Sequence, residues 1–196
     1  MLQARFPNGL KTDRLLLRSY NQEDPLGILN LVNGNRDMLL REFAQLASLR
    51  TIEDAASFVS EKHEQWNGCE TFCYGVWRSD EPEQIGQIQV KNISWKIPAA
   101  ELGYFIGGPW QRCGYATETI RAILRVAFRD LSFERVFVRI LPENRESLSL
   151  AQKLGFRLEG LHRRAFRCGL DEVHDVNYLA LLHDDYRKLE RSSANS

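Results

Sequence analysis

The stretch Trp110-Gln111-Arg112-Cys113-Gly114-Tyr115-Ala116-Thr117 is the most informative part of the sequence. An apolar run typical of a strand, Glu101 to Ile106, precedes it. Apolar residues at helical spacing follow and predict a helix from Thr117 to about Asp130. A glycine-containing turn between a strand and a helix directs backbone N–H groups and the positive end of the helix dipole at one point. We therefore predict a phosphate-binding loop, in which Gly114 lets the backbone approach a ligand closely.

A second stretch predicts a short helix after the next strand. Asn144-Arg145-Glu146-Ser147 opens this helix, and Leu154-Gly155-Phe156 ends it and leads into another strand. The glycine-turn pattern alone is weak, because it arises by chance about once in every five chains of this length. Together, however, the two stretches resemble the GNAT acetyltransferase superfamily.

Three further stretches resemble one branch of that superfamily, the RimJ/RimL-type N-acetyltransferases. They are Lys11 to Arg18, Ala100 to Tyr104 and Asp175 to Tyr178. The resemblance covers about residues 10 to 185. It implies a single domain over residues 1–196 with an α/β (α+β) fold. The expected sheet is mixed, mostly antiparallel and twisted, has about seven strands, and is flanked by helices. It should splay between its fourth and fifth strands, here Glu101 to Gly107 and Arg135 to Leu141.

The resemblance also implies that acetyl-CoA is the co-substrate. In the superfamily, the glycine turn holds the pyrophosphate, a main-chain N–H of the fourth strand polarises the acetyl carbonyl, and the Asn-x-x-Ser segment lies beside the thioester. No metal is expected, because the loop backbone and the helix dipole take the phosphate charge. The residues that carry these roles over to this sequence are Phe105, Ile106, Gly107, Gln111, Arg112, Cys113, Gly114, Tyr115, Ala116, Thr117, Asn144 and Ser147.

Two residues are candidates for catalysis. Glu101 lies near the predicted gap, where it would take the acceptor proton directly or through water, or would only position the amine. Ser147 lies where the branch commonly has a serine near the coenzyme sulfur, so it would steady the leaving thiolate. The alternative for this segment is helix capping, with Asn144 or Ser147 satisfying the first N–H groups.

The sequence departs from the family at two positions. Many members have a tyrosine on the short helix as general acid, but the corresponding residue is Ala151. Ribosomal-protein enzymes of the branch can have a glutamate on the strand after Gly160, and the corresponding residue here is Phe166. The second departure weakens the assignment of a ribosomal substrate. It also leaves Glu101 as the main candidate for handling the acceptor proton.

Composition narrows the function classes. Lysine plus arginine and aspartate plus glutamate both number 26, so no basic surplus favours a nucleic-acid partner. Apolar runs are too short to predict a membrane span or a signal peptide, and we expect a cytoplasmic protein. The spacing of the four cysteines and four histidines predicts neither a zinc site nor a disulfide framework. A monomer and a homodimer are both compatible with the sequence.

The acceptor is expected to be a primary amine, with a protein or peptide N-terminal α-amine first. Two alternatives stay open at this point. One is a small-molecule amine such as a polyamine, amino sugar or amino acid. The other is an acetyl-CoA-binding module without turnover, which the departures at Ala151 and Phe166 favour. Met1 to Gly9 are expected to be a loose lead-in, and Ser192 to Ser196 to be disordered.

Overall fold

The strands of the computed structural model form one sheet, and the structure describes residues 5–81 and 83–194. Within that part of the chain the sheet has eight strands in the order β1-β2-β3-β4-β5-β6-β8-β7. Every neighbouring pair is antiparallel except β5 and β6, which are parallel. The strands are β1 (Gly9–Lys11), β2 (Leu15–Ser19), β3 (Phe72–Arg78), β4 (Gln84–Ser94), β5 (Ala99–Ile106), β6 (Arg135–Ile140), β7 (Arg157–Arg167) and β8 (Val173–Leu182).

The helices fill the connections between these strands. Four of them lie between β2 and β3, one lies in the crossover connection from β5 to β6, and one joins β6 to β7. The last one follows β8. The helices are α1 (Pro25–Asn33), α2 (Arg36–Glu42), α3 (Ala44–Ala47), α4 (Ile52–Asn67), α5 (Tyr115–Arg125), α6 (Arg145–Lys153) and α7 (His183–Ala194). A π-helical turn, Val126–Asp130, extends α5.

The predicted mixed, mostly antiparallel α/β fold is confirmed, with one more strand than the seven predicted. The additional strand is β1, which pairs with β2 at the edge of the sheet. The lead-in is not loose in its described part, because Phe6 is 1% exposed and its ring packs against Phe72 and Phe133. Residues 1–4, 195 and 196 of the predicted flexible ends lie outside the described residues, while Ser192 belongs to α7.

Strand β3 explains how the sheet buries both of its faces. Side chains alternate between the two faces of a strand. Phe72, Tyr74 and Val76 join one apolar cluster, which includes residues of α5. Cys73 and Trp77 join the other, which includes residues of α1 to α4. The sheet is therefore a middle layer between two sets of helices, and both of its faces are packed.

The parallel pair β5 and β6 separates part-way along. Pairing runs from Ala99 opposite Arg135 to Leu102 opposite Val138. Strand β5 nevertheless continues to Ile106, and β6 continues to Ile140. The predicted splay between these strands is therefore present, and it leaves one edge of β5 without a strand partner from residue 103 onward.

Gly86 provides a test of how tightly β4 and β5 are packed beside this gap. A Cβ on Gly86 would lie 2.4 Å from the main-chain oxygen of Phe105, so the backbone of β5 would have to shift. We expect Gly86→Ala to lower the free energy of unfolding by about 1–3 kcal/mol. Gly160→Ala is the matched control, since a Cβ there meets nothing within 4 Å. Urea titration of both variants measures the difference, and equal stability would contradict the packing.

Candidate active site

The glycine loop has the concave backbone that the sequence predicts. Residues Gly108–Trp110 form a single 3₁₀ turn, and Gly114 is the N-cap of α5 with φ of +83°. Arg112 also has a positive φ, +61°. Alternating backbone handedness of this kind turns successive N–H groups toward one side and favours an anion. Gly114 has no side chain to cap α5, so the first N–H groups of the helix stay available to a ligand.

Arg14, just before β2, holds this loop in place. Its Nη1 donates to the carbonyl oxygen of Cys113 (3.0 Å), and its Nε donates to Glu118 Oε2 (2.8 Å). The guanidinium lies over the ring of Tyr115, 4.6 Å from the centroid. Burial raises the pKa of the Glu118 carboxyl, but hydrogen bonds from Thr12 and Arg14 outweigh burial, and the pKa lies below its usual value. Glu118 therefore stays charged and keeps the N-terminal edge of the sheet attached to α5.

A cavity of about 820 Å³ extends from the loop to α6. Its lining brings together ten of the predicted binding residues: Phe105, Ile106, Gln111, Arg112, Gly114, Tyr115, Ala116, Thr117, Asn144 and Ser147. The other two, Gly107 and Cys113, are not among its lining residues. Gly107 donates its N–H to Ile85 of β4, and the oxygen of Cys113 is bound by Arg14.

The unpaired edge of β5 supplies a main-chain donor to this cavity. Gly107 N–H donates to the oxygen of Ile85 on β4 (2.8 Å). N–H groups alternate between the two edges of an antiparallel strand, so the N–H of Ile106 points to the other edge, toward the gap. The carbonyl of Ile106 also points away from β4, since it accepts from Gln111 Nε2 (3.0 Å). Among the three predicted carbonyl-binding positions, the geometry favours Ile106.

Glu101 is 3% exposed and lines a smaller cavity of about 50 Å³ next to the first one. Its Oε1 accepts from Arg139 Nε (3.0 Å) and lies 3.5 Å from Lys91 Nζ. Its Oε2 accepts from Asn92 Nδ2 (2.6 Å). Two cations and an amide therefore engage both oxygens of this carboxylate. Its role in catalysis stays a prediction, and this setting favours positioning over proton transfer.

The start of α6 resolves the capping question. Asn144 Oδ1 accepts from the backbone N–H of Ser147 (3.1 Å), so Asn144 is the cap and the Ser147 hydroxyl is not needed for it. Asn144 Nδ2 also donates to Glu42 of α2 (2.5 Å). Ala151, where the family resemblance implies a tyrosine in many members, is 2% exposed and lies in the core of this protein.

Five residues line both cavities and mark the point where they meet: Glu42, Phe43, Tyr104, Leu141 and Ser147. Burial raises the pKa of Tyr104, Ser147 opposes the rise and the charge of Glu42 adds to it, so that the pKa is about 12. The Tyr104 oxygen is buried, and its geometry toward Ser147 falls short of a standard hydrogen bond. Tyr104 therefore keeps its proton at neutral pH and has a hydroxyl available at the junction.

Sequence reasoning assigned no role to Glu42 or Tyr104. Glu42 is the last residue of α2, where the sequence pattern predicted no clear structure, and its hydrogen-bond partner Asn144 is 102 positions further along the chain. Tyr104 belongs to the Ala100–Tyr104 stretch, which served only to indicate the family. The alternation along β5 that places Glu101 on one side and Tyr104 on the other is the signal that was available.

A possible ligand group for a metal lies on the hairpin between β7 and β8. Among the described residues, Cys168, Glu172 and His174 each offer a ligand atom, and these atoms lie within 4.8 Å of one another. Cys168 is buried and Glu172 is exposed. The spacing of these residues in the sequence did not predict this proximity, and the expectation of a metal-free reaction stays a prediction.

Comparison with known proteins agrees with this geometry. Residues 14–157, most of the chain, match the Acetyltransferase (GNAT) domain family. The chain belongs to the GNAT acetyltransferase family. It is an acetyl-CoA-dependent N-acetyltransferase of the RimJ/RimL-like type. No helix in the described part of this GNAT enzyme combines the length and apolar character needed to cross a bilayer.

The relatives of this GNAT enzyme include a ribosomal-protein enzyme. The [ribosomal protein uS5]-alanine N-acetyltransferase of Escherichia coli (strain K12) is 29% identical over 157 residues, which cover 77% of this chain and 79% of the relative. Two solved structures share the fold. The microcin C7 self-immunity acetyltransferase MccE, in complex with acetyl-CoA and AMP, has a TM-score of 0.82 at 21% identity and covers 91% of this chain and 98% of its own. RimL, a ribosomal L7/L12 α-N-protein acetyltransferase in complex with coenzyme A, has a TM-score of 0.81 at 21% identity, with coverage of 89% and 97%.

We predict that Gly114→Val weakens acetyl-CoA binding by about 2–4 kcal/mol while the fold persists. The φ of +83° strains any side chain there, and a Cβ would also lie 3.3 Å from Arg14 Nη2. Calorimetric titration of the parent and the variant with acetyl-CoA measures the change. Gly160→Ala is the control, and a folded Gly114→Val protein with unchanged affinity would place the coenzyme elsewhere.

Ser147→Ala separates catalysis from capping. Since Asn144 provides the cap, we expect the melting temperature to stay close to that of the parent. If the hydroxyl steadies the leaving thiolate, kcat falls about 10-fold or more. Asn144→Ala, in contrast, should lower the free energy of unfolding by about 1 kcal/mol, because the helix cap is lost. Unchanged kcat in Ser147→Ala would remove the serine from the reaction.

Proposed function

We propose that this GNAT enzyme acetylates a primary amine on a peptide or protein N-terminus in preference to a lysine side chain. The supporting observation is the cavity that connects the free N–H groups at the start of α5 with the gap between β5 and β6. The relatives that act on ribosomal protein uS5 and on the α-amine of L7/L12 support this acceptor class. A cytoplasmic location remains part of the proposal.

The residues of the cavity fit acetyl-CoA. At the loop, the positive φ of Gly114 and the uncapped first turn of α5 would hold the phosphates. The splayed strands leave an edge on which an extended arm can pair as a strand would. Acetyl-CoA supplies the activated acetyl group as a thioester, and positioning plus hydrogen bonding account for the rest of the chemistry.

Three residues would carry the remaining functions in the transfer reaction. The N–H of Ile106 points into the gap and would polarise the acetyl carbonyl. The Ser147 hydroxyl, free of a capping role, would donate to the sulfur as it becomes a thiolate. Glu101, fixed by Arg139 and Asn92, would shape and charge the acceptor side of the gap.

The preference for an α-amine follows from proton affinity. A peptide α-amine has a pKa of about 8 and a lysine side chain one of about 10.4. At pH 7 about 10% of the first and about 0.04% of the second is neutral, a difference of about 3 kcal/mol. The chain has alanine at position 151 and phenylalanine at position 166, where relatives can have acid–base residues. An acceptor amine that loses its proton easily therefore suits a site without acid–base residues at these two positions.

We expect a peptide with a free N-terminus and one internal lysine to be acetylated on the α-amine. The same peptide with a blocked N-terminus should react at least about 10-fold more slowly. Mass spectrometry after incubation with labelled acetyl-CoA locates the acetyl group.

A panel of small amines run in parallel tests the other acceptor class. Faster acetylation of a polyamine or an amino sugar than of either peptide would reject the N-terminal acceptor. Efficient modification of the lysine in the blocked peptide would reject the stated preference.

A further inference from the structure

The two cavities meet at a carboxylate that has no assigned role, Glu42 at the end of α2. It lines the coenzyme-side cavity together with the loop residues, and it also lines the smaller cavity that contains Glu101. Tyr104 and Ser147 line both cavities as well. The junction is where an acceptor entering from one side meets an acetyl group held on the other.

Glu42 and Glu101 have different surroundings. Both oxygens of Glu101 are engaged, by Arg139 and Lys91 on one oxygen and by Asn92 on the other. Among the described residues, the hydrogen bond to the Glu42 carboxylate is made to Oε1 by a neutral amide, Asn144 Nδ2 (2.5 Å). Both oxygens of Glu101 are thus occupied by donors, whereas Glu42 is half-buried and is held by a neutral amide, and burial raises its pKa.

We propose that Glu42 is the general base that removes the proton from the acceptor amine, and that Glu101 is a positioning residue. Glu42 takes one proton from the ammonium group, directly or through one water. The nitrogen lone pair then forms the C–N bond at the thioester carbon, and the C–S bond breaks with its electron pair on sulfur. The second proton lost by the nitrogen passes to that sulfur through the Tyr104 or Ser147 hydroxyl, and Glu42 releases its own proton to solvent.

The charges around Glu42 support this role. Burial raises its pKa, and the neighbouring Glu143 raises it further. The hydrogen bond from Asn144 and the charge of Arg41 oppose the rise without cancelling it. Tyr104 faces it as a neutral hydroxyl. A base works best with a pKa close to the working pH, so a raised value helps Glu42. Because the base must be deprotonated, activity should increase as pH rises through this pKa.

The inference rests on N-acetyl transfer but not on which amine is the acceptor. Its test therefore uses whichever amine the unaltered enzyme acetylates fastest. A change of preferred acceptor would reject the N-terminal preference and leave the Glu42 test in place.

Glu42→Gln is the central variant, since an amide of the same size still accepts from Asn144. We expect kcat/KM for the acceptor at pH 7 to fall about 100-fold or more, with the loss shrinking as pH approaches the pKa of the amine. Calorimetry should show acetyl-CoA affinity within about twofold of the parent, because a proton acceptor contributes little to ground-state binding. Glu42→Ala should recover part of the lost rate when formate is added as a diffusible base.

Two matched variants make the assignment specific. Glu64→Gln removes an exposed carboxylate from α4, away from both cavities, and should leave the rate and its pH profile unchanged. Glu101→Gln should raise KM for the acceptor more than it lowers kcat, with a loss that does not depend on pH. A Glu42→Gln enzyme with parental kcat/KM at pH 7, or a Glu42→Ala enzyme that formate does not rescue, would overturn the proposal. So would a pH-dependent loss in Glu101→Gln in place of Glu42→Gln.

Discussion

The separation of β5 from β6 after Leu102 and Val138 is the constraint on which the rest of the site depends. Every other neighbouring pair in the described sheet is antiparallel. The one parallel pair requires a connection over the face of the sheet, and the glycine loop and α5 are that connection. The same topology thus produces an unpaired strand edge and places a helix N-terminus beside it. A nucleotide-bearing thioester needs both features in one place.

Buried polar groups are then sorted by which side of β5 they occupy. Glu101 faces a cationic environment made by Lys91 and Arg139, and its charge is compensated there. Tyr104 points to the junction, where its hydroxyl is desolvated and close to Ser147. A strand that alternates its side chains between two environments can thus hold a neutral donor and a compensated carboxylate within a few residues of each other. The charged carboxylate of Glu101 and the neutral proton donor Tyr104 therefore lie in different surroundings.

The sequence was sufficient for the features that depend on local pattern. The strand, glycine turn and helix around Gly114 appear as predicted, and so does the helix that Asn144 opens. The gap between the two central strands followed from the family resemblance and not from local pattern. Contacts between distant segments could not be predicted from the sequence. Glu42 and Asn144 are 102 positions apart, and no periodicity relates α2 to α6. The strand β1 was missed because three residues with little apolar content give no alternating pattern, although they pair well once β2 is in place.

Arg14 connects the glycine loop to a part of the chain that is far away in sequence. The residues that it joins to the edge of the sheet, Cys113 and Glu118, are 99 and 104 positions further on. Closing so long a loop costs conformational entropy, and the contacts of Arg14 offset part of that cost while they hold the glycine loop against the N-terminal edge. The converse also holds by mass action. A ligand that binds only the ordered loop stabilises the docked edge with it, so coenzyme bound at the loop would also stabilise the first strands of the chain.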